Sequence, residues 1–367
     1  MDQGRQQLQP RPQSYRMPAE WEPQEAVWLQ WPAEEMRPYS GYHLKLESTW
    51  LAMTRAMQPY VEVRIVLKDE QSRERLGNQF AAFGIEPKNV SMYVMPLDDV
   101  WARDNGPIFV IDASGRVALT KWIFNGWGDR APYERDAEIP ARIAKSLGLP
   151  IFEAPLVTEG GAIEVDGAGT FMATRSSILN PNRNPEVTQE AAEQVLAEYL
   201  GVRHFVWLSG APPRVCESLG DETDWHVDIA ARFSPQGAVL YCWTDDENDP
   251  RYPYYACHRE ELERATDAQG RPFTLVAMPA PQVFSVHAQS GDTGRRECGS
   301  FTDAAYTNYL VTNGAVLVPV YGRKEDEPAK AILAEHFPGC EVIGIPTLTL
   351  TEEGGAIHCV TQQQPRG

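Results

Sequence analysis

The sequence predicts an α/β protein built from about five copies of one structural unit. Short strand-like runs alternate with helical segments along the whole chain, which is the α/β pattern. The string Glu-Gly-Gly-Ala-Ile occurs twice, at 159–163 and at 353–357, 194 positions apart. Asp104 and Asp228, each just ahead of an apolar run, are 124 positions apart. Both separations are multiples of about 60–65 residues, and self-similarity at a fixed period marks a repeat architecture, open or closed. Equivalent loops of such a scaffold can bring different chemical groups to one place.

In chain order, residues 1–15 are polar, contain several Gln, Arg and Pro, and read as a disordered leader. Residues 16–367 read as a single domain, because no Gly- or Ser-rich linker divides them. Strands are expected at 61–67, 92–97, 107–111, 117–122, 170–174, 204–208, 237–243, 273–278, 314–321 and 341–345. These runs are β-branched or aromatic and mostly bounded by Gly, Pro, Asp or Asn. Helices are expected at 41–57, 70–83, 136–147, 185–200, 259–265 and 327–337. In the fourth, Asn184 can cap the start, Pro185 suits the first turn and Gly201 can close the end. Its apolar face is Val187, Ala191, Val195, Leu196, Tyr199 and Leu200.

The formal net charge of −18 argues against nucleic acid as a partner, since phosphates need a basic surface. The same charge suits a small cationic substrate. Nothing approaches the ~20 consecutive apolar residues of a membrane span. The N-terminal stretch lacks the apolar core of a signal peptide, so a cytoplasmic location is expected. The six cysteines include no C-x-x-C pair, which speaks against a zinc ribbon or disulfide framework.

Cys359 stands apart from the other cysteines. It follows a Gly-Gly path that can supply free N–H groups, in a turn-prone, polar setting near residue 367. A reactive thiol needs a base. His358 is adjacent, and neighbouring side chains of an extended segment point opposite ways. His226 is the better candidate, in the acidic loop 221–228, with Asp228 two positions on and so on the same face of a strand. His43, His204, His258, His287 and His336 are read as structural. A lone Asp-Asn-Gly or Glu-Gly-Gly is usually a turn, but Asp104, Glu159, His226, Asp228 and Cys359 fall in repeat-related loops. So many carboxylates would oppose the oxyanion of a neutral-amide or peptide hydrolase. They suit a cationic centre. A metal site of His226, Asp228 and Cys359 mixes hard and soft ligands that suit few metals, and no metal or organic cofactor is expected.

Several motifs bear a likeness beyond these patterns. They are Met17-Pro18-Ala19-Glu20-Trp21, Trp28-Leu29-Gln30-Trp31-Pro32, Trp101-Ala102-Arg103-Asp104-Asn105-Gly106-Pro107 and Glu159-Gly160-Gly161. Asn180-Pro181-Asn182-Arg183-Asn184-Pro185, then Gly220-Asp221-Glu222-Thr223-Asp224 with His226-Val227-Asp228, and Ile357-His358-Cys359-Val360-Thr361-Gln362-Gln363-Gln364-Pro365 continue it. Together, and in this order, they resemble the Porphyromonas-type peptidylarginine deiminase family, most nearly its agmatine deiminases. The resemblance implies a five-bladed, pseudo-fivefold α/β propeller, the pentein fold. It implies hydrolysis of agmatine to N-carbamoylputrescine and ammonia through a cysteine thiouronium adduct, with arginine in peptides or another small guanidine as the alternative. It implies Cys359 as nucleophile, His226 as acid and base, Glu159 as the carboxylate holding that histidine, and Asp104 with Asp228 as the guanidinium clamp. Glu222 and Trp101 fall where the family contacts substrate, and a homo-oligomer is compatible with it. Two positions depart from close members. Glu353-Gly354-Gly355-Ala356 stands where they carry Gly-Gly-Gly-Asn, and Trp225 stands where glycine is frequent.

Overall fold

The computed structural model describes residues 12–33, 36, 42–86, 88–219, 221–282 and 304–367. Within them one local plan recurs: two antiparallel strands, a crossover helix, and a third strand parallel to the second. Ile108–Asp112 pairs antiparallel with Val117–Ile123, helix Ile139–Leu147 crosses over, and Ile151–Val157 returns parallel. Glu164–Val165, Thr170–Thr174, helix Gln189–Leu200 and His204–Leu208 repeat the plan. So do Ala231–Phe233, Ala238–Trp243, helix Tyr252–Arg264 and Thr274–Pro279. Leu310–Thr312, Ala315–Val320, helix Asp326–His336 and Glu341–Pro346 form a fourth unit. A parallel return needs a long crossover, and a helix supplies it while covering the sheet.

The fifth unit is made from distant parts of the chain. Thr361–Pro365 lies antiparallel to Gln24–Gln30, helix Tyr42–Met57 follows, and Glu62–Leu67 and Val90–Val94 add parallel strands. Successive sheets touch, and Thr361–Pro365 packs on Ile108–Asp112, so the five sheets close into a ring. The closing strand is polar yet buried along its length. Two of its glutamines are matched, whereas Gln362 Oε1 is buried without a partner. Gln364 Oε1 accepts Trp28 Nε1 at 3.0 Å and Arg64 Nη1 at 2.8 Å, and Gln363 Oε1 accepts Arg103 Nη1 at 2.6 Å. Burial of polar groups is tolerated when they are bonded in this way.

The expected strands and helices are present with shifted ends. Helix Gln189–Leu200 starts later than its proline suggests, because Thr188, not Asn184, caps it by accepting Ala191 N–H. Asn184 instead ties Val157 and Ile178 backbone. Ala192 rather than Ala191 joins Leu196 and Leu200 on the buried face, and each leucine contributes about 2 kcal/mol of burial. Gly201 closes the helix at φ 68°, a left-handed conformation that costs glycine little. Residues 12–14 form a short 3₁₀ turn and Tyr15–Arg16 pairs with Asp112 and Ile111, so the last part of the expected leader is structured. Residues 1–11, Gly41, Gly220, His287 and Cys298 lie outside the described residues. None of the described helices is long and apolar enough to cross a membrane.

Candidate active site

The strand nearest each turn of the ring is entered through a tight loop. Ala102–Asn105 precedes Ile108–Asp112, Gly160–Ala162 precedes Glu164–Val165, and Val227–Ile229 precedes Ala231–Phe233. Residues 305–309 precede Leu310–Thr312, and His358–Val360 precedes Thr361–Pro365. The loops from different sheets meet, so side chains remote in sequence become neighbours. In this alignment the two Glu-Gly-Gly-Ala-Ile strings do not coincide. The first forms its entry loop. The second begins one turn earlier, leaving helix Leu348–Thr351 through Gly354 at φ 105°.

Gly161 locates the meeting point. A Cβ there would lie 2.5 Å from His226 Nδ1, 2.9 Å from Asp104 Oδ1 and 3.2 Å from Asp228 Oδ2. Any larger residue would fill the space shared by these three groups. Gly355 does the same on the other side, where a Cβ would meet Trp101 at 2.5 Å and Cys359 Sγ at 3.2 Å. Asp228 Oδ2 is 3.9 Å from Cys359 Sγ. Asp228 reaches this position from a 3₁₀ turn, not from a strand as the two-residue spacing suggested; the strand begins only at Ala231.

His226 Nε2 contacts Glu159 Oε2 at 3.3 Å, and its Nδ1 faces Asp104 Oδ1 at 3.7 Å without a hydrogen-bond partner. Glu159 is in turn held by Arg183 Nε at 2.7 Å. Asp104 Oδ1 accepts Gly161 N–H at 3.1 Å, and Oδ2 accepts Trp127 Nε1 at 3.0 Å. Asp228 Oδ2 accepts Asn308 Nδ2 at 3.1 Å, whereas its buried Oδ1 has no partner.

A pocket of about 450 Å³ opens over this cluster. Its buried walls are Cys359, Asp104, Trp101 and Trp127, and Asp99, Glu222 and Glu353 are half-buried beside them. The structure therefore brings Cys359, Asp104, Trp101 and Glu222 to one pocket, with Asp228 behind its wall at Cys359, His226 behind its wall at Asp104, and Glu159 behind the imidazole.

The electrostatics follow from burial and neighbours. Burial weakens the charged form of His226, but Asp104, Glu159 and Asp228 outweigh it and raise the imidazole to about 9. Burial raises Asp104 to about 6, with His226 acting against the rise. Burial also opposes charge on Glu159, yet Arg183 and His226 hold that carboxyl below its ordinary value. Burial, then the carboxylates of Asp228 and Asp104, push the Cys359 thiol well above its ordinary value. These shifts favour a protonated sulfur and a charged imidazole at neutral pH.

Asn308, Trp127 and Arg183 escaped the sequence reading. Asn308 supplies the fifth entry loop: its Nδ2 reaches Cys359 Sγ at 3.2 Å, and its Oδ1 accepts His358 N–H at 3.0 Å. The short strand after it would have been the signal. Trp225 takes φ 69°, in the left-handed region where glycine is favoured. Its ring packs against Tyr254, Tyr255 and His258. Among the described residues no group of three or more His, Cys, Asp or Glu is placed to hold a metal ion.

A model of the family described as Porphyromonas-type peptidyl-arginine deiminase matches residues 16–365. A Yersinia pestis protein named "putative agmatine deiminase" is 34% identical over 97% of both chains. The solved agmatine deiminase of Enterococcus faecalis is 31% identical, with a TM-score of 0.87 over 97% of this chain and 98% of that one. An amidinotransferase from Microseira wollei, 13% identical, shares the fold alone, with a TM-score of 0.51 over 96% of this chain and 97% of that one. The five-sheet ring is thus the pentein fold of guanidino-group enzymes.

Proposed function

Because the chain belongs to the Porphyromonas-type peptidyl-arginine deiminase family, whose members are hydrolases of guanidino groups, we propose that it deiminates agmatine to N-carbamoylputrescine and ammonia. The observation that carries this reading is the convergence of Asp104, Asp228 and His226 on the space above Gly161, beside Cys359. A guanidinium is flat, permanently charged and rich in N–H donors. Two fixed carboxylates match it in charge and geometry.

The proposed sequence starts with the cation. On entering between Asp104 and Asp228 it offsets the negative field that keeps the Cys359 thiol protonated, and the thiol gives its proton to solvent. The thiolate attacks the guanidinium carbon, forming the C–S bond. His226 donates a proton to one nitrogen as its C–N bond breaks, and ammonia leaves. The remaining thiouronium adduct keeps its positive charge between the carboxylates. The now neutral His226 takes a proton from water, whose oxygen attacks the same carbon. The C–S bond then breaks as the new hydroxyl gives its proton to the departing sulfur, releasing the neutral ureido product and the Cys359 thiol, with His226 again charged. Such acid and base duty supplies about 10²–10⁴ in rate. Glu159 keeps His226 oriented and charged.

Glu222, half-buried at the same pocket, supports recognition of a second positive charge on the substrate's tail. Agmatine has that charge, whereas free arginine adds a carboxylate that Asp99, Glu222 and Glu353 would repel. Ammonia release measured across agmatine, free arginine and arginyl peptides tests the reading. Agmatine should give the highest kcat/KM, and preference for an arginyl peptide would replace the substrate while keeping the chemistry.

A further inference from the structure

Two buried ionisable groups beside the pocket have no part in the scheme above. They are Glu20, from the Met17-Pro18-Ala19-Glu20-Trp21 motif, and His358, next to the nucleophile. His358 Nδ1 lies 2.8 Å from Asp228 Oδ2, and its Nε2 lies 2.9 Å from Glu20 Oε2. Each contact requires a hydrogen between its heavy atoms. Glu20 is in no position to provide one. Its Oε2 already accepts Arg232 Nη2 at 2.7 Å and its Oε1 accepts Val311 N–H at 2.6 Å, so both oxygens are used as ionised acceptors. Asp228 Oδ2 likewise accepts Asn308 Nδ2. Both hydrogens must therefore sit on the ring.

We infer that His358 is a positioning residue, held doubly protonated between Glu20 and Asp228, which fixes the Asp228 carboxylate for a guanidinium. Together with Asn308 it occupies Oδ2. That leaves Oδ1, buried and without a partner, as the oxygen available to substrate N–H groups. The other charged groups acting on His358 are Arg103 and Arg232. Burial, then Arg103 and Arg232, hold this imidazole below its ordinary value, and Glu20 and the Asp228 hydrogen bond only partly offset them; the charge is inferred instead from the two short carboxylate contacts, either of which an unprotonated nitrogen would make repulsive. The motif that begins at Met17 thus reaches the substrate through two side chains, over a sequence distance that no local pattern would reveal.

The functional part of this inference rests on the deiminase reading; the protonation part does not. Histidine-selective ¹⁵N spectra of the full chain at pH 8, with the His358 signals assigned by their loss in His358→Gln, should show a proton on both ring nitrogens. One unprotonated nitrogen would overturn the assignment, and this measurement needs no variant that folds poorly beyond the assignment step; long-range ring couplings to the Cδ2 and Cε1 protons give the assignment if that variant fails to fold. In Glu20→Gln the same spectrum should move towards neutral imidazole. Glu20→Gln and His358→Gln should each lower kcat/KM for agmatine about 30-fold, as loss of a charged hydrogen bond implies. The double variant should lose little more than either single one, because both act through Asp228. Multiplying losses would sink the coupling. A doubly protonated ring in a protein that does not deiminate agmatine would uphold the His358 assignment and overturn the substrate instead.

Discussion

Replacing Glu159 by Gln tests whether a carboxylate sets the protonation of His226. Glu159 Oε2 is 3.3 Å from Nε2 of the imidazole. At an effective dielectric constant of about 20 a full charge pair at that distance is worth about 5 kcal/mol, an upper bound. Arg183, 2.7 Å from the other carboxylate oxygen, offsets part of it. Charged hydrogen bonds measured by substitution are worth about 1.5–3 kcal/mol, or about one to two pKa units at 1.36 kcal/mol each. His226 stands at about 9 in the intact site. In Glu159→Gln it should fall to about 7 to 8. The proposed chemistry requires charged His226 and ionised Asp104 in the free protein, and kcat/KM reports the free protein's groups. Activity is therefore lost as pH falls through about 6, where Asp104 gains a proton, and as pH rises through about 9, where His226 loses one. The assay is ammonia release from agmatine at low substrate, from pH 5 to pH 10. The alkaline limb of the variant should move down while the acid limb stays, leaving about tenfold less kcat/KM than the parent at pH 8.5. An unmoved alkaline limb would refute the role given to Glu159. An optimum above pH 9 in the parent would refute the thiol's release by substrate, since it would mean that free thiolate is required.

The remaining expectations are brief. Cys359→Ala should abolish ammonia release and leave the thermal midpoint nearly unchanged, and appreciable turnover would remove the covalent scheme. Asp104→Asn and Asp228→Asn should each lower kcat/KM by about 10²–10³ through lost charge stabilisation. Asp98→Asn should change it by less than about threefold, because Asp98 bonds Arg135 N–H away from the pocket walls. Equal losses at all three would count against the clamp. Trp225→Gly removes a buried ring at a cost of about 3–5 kcal/mol and relieves about 1–2 kcal/mol of left-handed strain. Chemical denaturation should show a net loss of stability, and a gain would mean that backbone strain outweighs packing there.

The sequence showed most of the strands away from the site, though not Gln24–Gln30 or Ile151–Val157, and the crossover helices, because their burial is apolar and periodic. Val117–Ile123, Thr170–Thr174 and Ala315–Val320 all announced themselves that way. The strands facing the site were harder to read. Leu310–Thr312, Glu164–Val165 and Ala231–Phe233 are two or three residues long, and Thr361–Pro365 is almost wholly polar. Their stability comes from ladder bonds and matched side-chain amides, which leave no hydrophobic period. Asp104, Glu159 and Cys359 stood out chemically as reactive groups near glycines, and His226 with Asp228 as a histidine in an acidic loop. Asn308 did not, as an asparagine before an unrecognised strand looks like any turn. Glu20 acts by contacts that only ring closure creates, and Arg183 by bonds to Glu159 and Asp224 that no local period marks.

Carboxylate crowding around a cysteine would hinder most cysteine chemistry, and the reason it serves here concerns the order of events. In the empty pocket Asp104 and Asp228 disfavour thiolate, so Cys359 is a poor nucleophile towards neutral electrophiles. A neutral amide entering the pocket would bring no charge to change that, and its oxyanion would face the same carboxylates. In the mechanism we propose, a guanidinium reverses the field at the moment it binds. Its positive charge lies between the acids and beside the sulfur, favouring thiolate and satisfying Asp228 Oδ1 together. The thiouronium adduct keeps that charge, so the clamp still fits after the first C–N bond breaks. Only when water completes the neutral ureido group does the match disappear, and the product leaves a site that again favours the protonated sulfur. On the proposed mechanism, selectivity for a cation is built into nucleophile activation rather than added by the pocket's shape.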